Sequence, residues 1–167
     1  MVKITGFICV VLCGAGGGAI MAEKLRRLRE SSRQLLEMLI QISIMIRYRA
    51  LNVYEIVREL HSAGSYTELG FLGELPESYE AGEDFIELWS KAVERDNGIG
   101  NEEKRILTSF GAELGTSDIE GQMMTIQSAI ETMSSIESRR SEEYLKKGRL
   151  YRSIGALFGL MTGIILV

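Results

Sequence analysis

Residues 25–46 read LRRLRESSRQLLEMLIQISIMI, and this stretch decides the fold. Apolar residues stand at Leu25, Leu28, Leu35, Leu39, Ile42 and Ile46, with Ser32 filling the one gap. The steps alternate three and four, which keeps one side of an α-helix apolar over three heptads. Leu36, Met38, Ile40, Ile44 and Met45 widen that side. The pattern predicts one long helix from Glu23 to Arg49, its second half buried on more than one side. Ile119, Met123, Ile126, Ile130 and Met133 repeat the spacing near the other end of the chain. Ser117-Asp118-Ile119-Glu120 has capping-box spacing there, with Ser117 as the cap. Past Ile136 the apolar seam fades into Glu137, Arg139, Arg140, Glu142, Glu143, Lys146 and Lys147, which reads as a charged stalk.

Shorter helices fill the interval. Val53, Ile56, Val57 and Leu60 mark one, and Phe85, Ile86, Leu88, Trp89, Ala92 and Val93 mark another, with Trp89 expected in the core. Between them, His61 to Glu80 holds Gly64, Gly70, Gly73 and the single proline, Pro76, and reads as a loop or broken helix. Asn97-Gly98 stops the third helix. Asn101 is placed to cap a fourth, which carries Ile106, Leu107, Phe110 and Leu114 and ends at Gly115. Strand-like alternation is scarce. The predicted fold is all-α: an antiparallel helical bundle with N- and C-terminal transmembrane helices.

The membrane reading comes from the two ends. Ile4 to Ala22 is 19 residues without a charge, and Ser153 to Val167 is 15. A spanning helix takes about 20 apolar residues, and Arg149 and Arg152 can snorkel to lengthen the second stretch. The expected organisation is a transmembrane helix over 1–22, a helical domain over 23–149 and a second transmembrane helix over 150–167. In the first stretch the basic cluster follows the apolar run, the wrong order for a secretory signal. Lys24, Arg26, Arg27, Arg29 and Arg33 flank one stretch, and Arg139, Arg140, Lys146, Lys147, Arg149 and Arg152 flank the other. The positive-inside rule then puts the domain in the cytoplasm and both termini outside. Gly14 and Gly18, and Gly155, Gly159 and Gly163, recur every four residues and suit close helix packing in a membrane. Cys9 and Cys13 lie on one helical face, too far apart for a disulfide within the helix, and read as small apolar side chains.

Charge divides along the chain. Residues 23–49 carry net +4 and residues 137–152 net +3, whereas residues 50–136 carry net −12. Basic segments beside the membrane suit an anionic leaflet. An acidic middle argues against nucleic acid. Glu80, Glu83, Asp84 and Glu87 concentrate the acid and are the candidate partner-binding residues, with the apolar Phe71 and Leu72 as the alternative contact.

Catalytic chemistry is not legible. His61 is the single histidine and reads as a surface or capping residue. Gly14-Ala15-Gly16-Gly17-Gly18 lacks the Lys-Ser or Lys-Thr of a phosphate loop. No His or Cys completes a metal set with Glu83, Asp84 and Glu87. The expectation is a protein that is not an enzyme, takes no cofactor, metal or small-molecule substrate, and acts by holding partners.

Three segments resemble the stage III sporulation protein AB family of endospore-forming bacteria. One is the Leu25 to Tyr48 helix after an N-terminal span. Another is Ile106 to Gln122, where Phe110-Gly111, Leu114-Gly115, Asp118 and Gln122 fit the family pattern. The last is Lys147 to Gly155 with the Gly-rich C-terminal stretch. One departure is Leu51-Asn52-Val53, where the family shows a Thr-Pro-type turn. The resemblance implies a domain similar to the platform protein of type II secretion and type IV pilus systems. It implies a place in a channel complex between mother cell and forespore, among other membrane proteins of that complex, with a cytoplasmic ATPase of the same operon as partner. A pore-forming or transport role in the same complex is the alternative. Thr5, Ser153 and Thr162 are the only hydroxyl side chains of the two stretches and would line a pore poorly.

Overall fold

The computed structural model describes residues 2–115 and 118–166. All regular structure among them is helical: α1 (Val2–Ile44), closing in a π-helical turn (Met45–Arg49), α2 (Val53–Ala63), a 3₁₀ turn (Gly70–Glu74), α3 (Phe85–Arg95), α4 (Asn101–Glu113) and α5 (Ile119–Leu166). The chain divides into two compact units, Met1–Arg29 with Arg139–Val167, and Glu30–Ser138. Each unit pairs an early part of α1 or a later one with the part of α5 that an antiparallel partner would supply. Both long helices are continuous across the sequence-predicted boundaries near residues 22 and 150. Among the described residues no helix is long and apolar enough to cross a membrane. Gly14, Gly155, Gly159 and Gly163 stand in helical backbone, but their surroundings lie outside the described residues, as do those of Cys9 and Cys13. Gly18 is half-buried.

In the unit Glu30–Ser138, the seam read from α1 is the core. Leu35, Met38, Leu39, Ile42, Met45 and Ile46 are buried and share one cluster with Ile126, Ala129 and Met133 of α5. The widened face is narrower than expected. Ile40 and Ile44 are 41% and 43% exposed, and Tyr48 is exposed beside them. At about 100° per residue, Ile40 and Ile44 stand roughly opposite Leu35, Leu39 and Ile42, so no helix reaches them from the core side. Ile119 is 52% exposed, since it is the first residue of α5 and precedes the stretch that meets the core.

Local signals place the short helices. Asn52 caps α2: its side chain accepts from the Tyr54 and Glu55 N–H groups at 3.1 and 3.0 Å, and the Glu55 carboxylate accepts from the Asn52 N–H at 2.9 Å. The segment that departs from the family pattern is thus a complete capping box. Just before it, Ala50 closes the π-helical turn at φ +48°, a left-handed conformation that costs a residue with a Cβ about 1–2 kcal/mol. Two predicted caps differ. Asn101 is the first residue of α4 rather than its cap, the cap position being Gly100 without a side-chain bond. Asp118 caps α5, accepting from the Gly121 N–H at 2.9 Å; Ser117 lies outside the described residues.

An aromatic cluster anchors α3 and α4. Trp89 is buried, with Phe71, Phe85 and Phe110 around it at ring separations of 5.4, 6.1 and 5.9 Å. Its Nε1–H donates to the Leu107 carbonyl at 2.8 Å, so the one polar atom of the ring is satisfied. Gly111 makes the fit possible: a Cβ there would stand 2.1 Å from Trp89 Cδ1. Phe71 and Leu72 belong to this core and are not an accessible contact surface.

A second region of the same unit is polar. Ser31, Ser32, Gln34 and Glu103 are all buried. The Ser32 hydroxyl donates to the Glu103 carboxylate at 2.8 Å, linking α1 to α4. Gln34 donates to Glu30 at 3.1 Å and accepts from the Glu68 N–H at 2.9 Å, pinning the loop before the 3₁₀ turn.

Candidate functional site

The four candidate carboxylates stand around the start of α3 and do not share one task. Gly82, at φ +95°, lets the chain turn so that the Glu83 N–H reaches the Glu80 carbonyl at 3.2 Å. Asp84 is then the α3 cap, its carboxylate accepting from the Ile86 N–H at 2.9 Å. Glu87, one turn into the helix, pairs with Lys91 at 2.6 Å. Glu80 is exposed, without an ion pair among the described residues. Glu83 is half-buried, and its Oε2 is shielded from solvent without a hydrogen-bond partner. Asp84 and Glu87 therefore serve the helix, while Glu80 and Glu83 are left without a cation among the described residues.

Two rings complete this surface. Tyr54, early in α2, packs edge-on against Tyr79 at 6.0 Å and Phe85 at 5.5 Å. Phe85 leads on to Trp89, so Tyr79, 65% exposed, is the outer end of a run of rings that reaches the core. Burial and the nearby charges of Glu83, Tyr79 and Asp84 raise the Tyr54 hydroxyl above its ordinary pKa. Glu83 and Asp84 thus lie close enough to act on Tyr54. An aromatic face beside unpaired carboxylates suits a Lys or Arg side chain. Tyr54 and Tyr79 were not singled out in the sequence; the available signal was Tyr79 standing immediately before the acidic run.

Both ring nitrogens of His61 are bonded, Nδ1 with the Glu77 carboxylate and Nε2 with the Leu72 carbonyl, each at 2.7 Å. The residue bridges α2 to the loop after the 3₁₀ turn instead of standing free at the surface. An open groove of about 930 Å³ runs along α4, lined by Glu94, Asn101, Glu102, Lys104, Arg105, Thr108 and Ser109. The Lys104 ammonium in it donates to the Glu94 carbonyl. Among the described residues no three His, Cys, Asp or Glu side chains are grouped to hold a metal.

The motif over 106–122 is explained by the α4–α5 connection. Leu114 is buried at the α4 C-terminus. Gly115 turns the chain at φ +80°, where a Cβ would stand 3.0 Å from Val53 Cγ1. Asp118 caps α5, and its carbonyl accepts from the Gln122 N–H at 3.0 Å. Phe110 and Gly111 hold Trp89. These residues fix where α5 begins and how α3 and α4 meet. No curated relative and no solved structure matches the chain. The profile of the stage III sporulation protein AB family matches residues 3–167, which takes in the capped turn at 52, the ring-accepting Gly111 and both long helices. Whole-length agreement of that kind places the chain in the stage III sporulation protein AB family, and with it in sporulation.

Proposed function

We propose that this sporulation protein is a membrane-anchored platform that holds a cytoplasmic ATPase in a channel complex between mother cell and forespore. In this reading it is not an enzyme, and it crosses the mother-cell membrane twice with its domain in the cytoplasm and both termini outside. The uncharged stretch Ile4 to Ala22 and the basic flanks support the membrane assignment. The bonded state of both His61 nitrogens supports the absence of catalysis. The observation that carries the docking role is the surface at the start of α3. There an exposed ring, Tyr79, precedes Glu80 and packs on Tyr54, which Glu83 lies near, and neither carboxylate has a cation partner among the described residues.

Charge at such a contact speeds association and fixes orientation more than it adds affinity, and salt screens it over about 10 Å at 0.1 M. The test is binding of the full-length protein in detergent to the purified ATPase, at low and high salt. Tyr79→Ala and Glu80→Lys should each weaken binding, and salt should weaken the wild type. Asp84 is left alone, because losing its cap would lower stability by about 1 kcal/mol and confuse the result. Wild-type affinity in both variants, indifferent to salt, removes this surface as the docking site.

A further inference from the structure

In the unit formed by Met1–Arg29 and Arg139–Val167, most described cations already have a carboxylate one turn away. Arg26 and Arg27 pair with Glu23 at 2.7 and 3.3 Å, Lys146 with Glu142 at 2.8 Å, and Lys147 and Arg140 with Glu143 at 3.2 and 3.7 Å. Arg29 differs. Its guanidinium lies 5.3 Å from the centre of the Tyr144 ring, and its Nε is shielded from solvent with no hydrogen-bond partner. Gly148 is buried one turn beyond Tyr144, and even a Cβ there would clear the ring at 3.6 Å. A ring face attracts a cation but accepts no N–H in the plane of the fork, so stacking on tyrosine leaves the in-plane N–H groups of Arg29 for an acceptor such as an oxyanion.

Height along the helices says which oxyanion. Arg29 is seven residues past Ala22, about 10 Å of α-helix. On α5, Tyr144 lies six residues before residue 150, about 9 Å. A bilayer's headgroup layer is about 5–7 Å deep on each side, within reach of an arginine at that height. We propose that Arg29, stacked on Tyr144, binds the phosphate of an anionic phospholipid at the cytoplasmic surface. The proposal rests on the two-span reading above. The headgroup carries no ammonium, because a choline or ethanolamine would bring its own cation into a collar that holds Lys24, Arg26, Arg27, Lys146 and Lys147.

The experiment uses the full-length protein. It is first mixed with vesicles and floated on a density gradient. Then it is extracted with equal phosphatidylglycerol and phosphatidylcholine, and the retained lipid is read by native mass spectrometry. Wild type should float and keep phosphatidylglycerol in preference. Arg29→Gln should cut that preference about tenfold, the loss of one hydrogen bond between charged groups at this site. Arg27→Gln removes the same charge at an exposed, paired position and should leave the preference unchanged. Arg29→Lys keeps the charge without the planar fork and should fall between; it serves as the reading if the glutamine variant does not fold. Equal loss in the Arg27 and Arg29 variants, or no preference in wild type, overturns the proposal. Displacement of the lipid by millimolar inorganic phosphate overturns the lipid assignment in favour of the free anion. A chain that stays at the bottom of the gradient with every vesicle refutes the two-span reading itself, and this proposal with it.

Discussion

The cluster around Trp89 and the layer around Glu103 lie in one compact unit, both withdrawn from water, and they are held by different means. At Trp89 the contacts are between ring edges and faces, with one hydrogen bond to spare the indole N–H. At Glu103 a carboxylate and a serine hydroxyl are held by a directed bond, and Gln34 is tied in the same way to Glu30 and to the Glu68 N–H. A packed cluster is sensitive to volume and tolerant of chemistry; a polar layer is the reverse, since a buried acceptor left without its donor costs more than the bond contributed. α4 takes part in both, with Gly111 against Trp89 and Glu103 against Ser32, so it is where the two kinds of constraint meet.

The largest expected effect breaks the packed side. Trp89→Ala should lose about 3–5 kcal/mol, and Gly111→Ala about 1–3 kcal/mol or more, because the ring cannot retreat from a new methyl group. Urea unfolding of the full-length protein followed by circular dichroism measures both; a loss within error at Gly111 would mean the ring has room. Next, Ser32→Ala should lose about 1–3 kcal/mol in the same assay although it removes a single oxygen. A loss as small as that of an exposed serine such as Ser138 would show that the polar layer is not specific. Smaller and opposite in sign, Ala50→Gly should gain about 0.5–1 kcal/mol, by releasing a left-handed residue at some cost in chain entropy. An unchanged unfolding midpoint would show that the turn is not strained.

The smallest effect concerns the polar tie nearest the aromatic cluster. Burial pulls the His61 pKa down, but the bond to Glu77, the bond to the Leu72 carbonyl and the Glu77 charge outweigh it and leave the group raised above 6.5. A raised histidine stabilises the fold fully below the unfolded value and ceases to do so as pH rises through the folded one. The melting temperature should therefore fall slightly from pH 6 to pH 8, and Glu77→Gln should flatten the slope. The Glu77 carboxylate is half exposed, so the contribution stays below about 1 kcal/mol. A melting temperature that climbs over this range in wild type but not in His61→Gln reverses the sign and removes the tie.

The packed side was the legible one. Leu35, Leu39, Ile42, Ile46, Ile126 and Met133 announce themselves by spacing, and each is buried. Trp89 was read as core from its place on an amphipathic helix. Ile40 and Ile44 were read as buried because apolar character alone does not say which side of a helix has neighbours. The polar layer was mostly invisible. Ser32 showed as a gap in the heptads, but Glu103 looks like any acid in the first turn of a helix, and only the fold brings α4 to α1. The candidate surface was half legible for the same reason. The acids near residue 83 form a local cluster, but which of them caps α3, which pairs with Lys91 and which faces Tyr54 depends on the turn at Gly82.

The approach of Trp89 to Gly111 also limits the order in which the two positions can change. A larger residue at 111 is damaging while the indole is present, so a lineage must first shrink residue 89. Shrinking residue 89 alone opens a cavity that only a larger residue at 111 or its neighbours can refill. Each single step descends in fitness and only the pair recovers. The two sites should therefore vary together or not at all, and a chimera that joins the α3 of one relative to the α4 of another should fail wherever their parents differ at this pair.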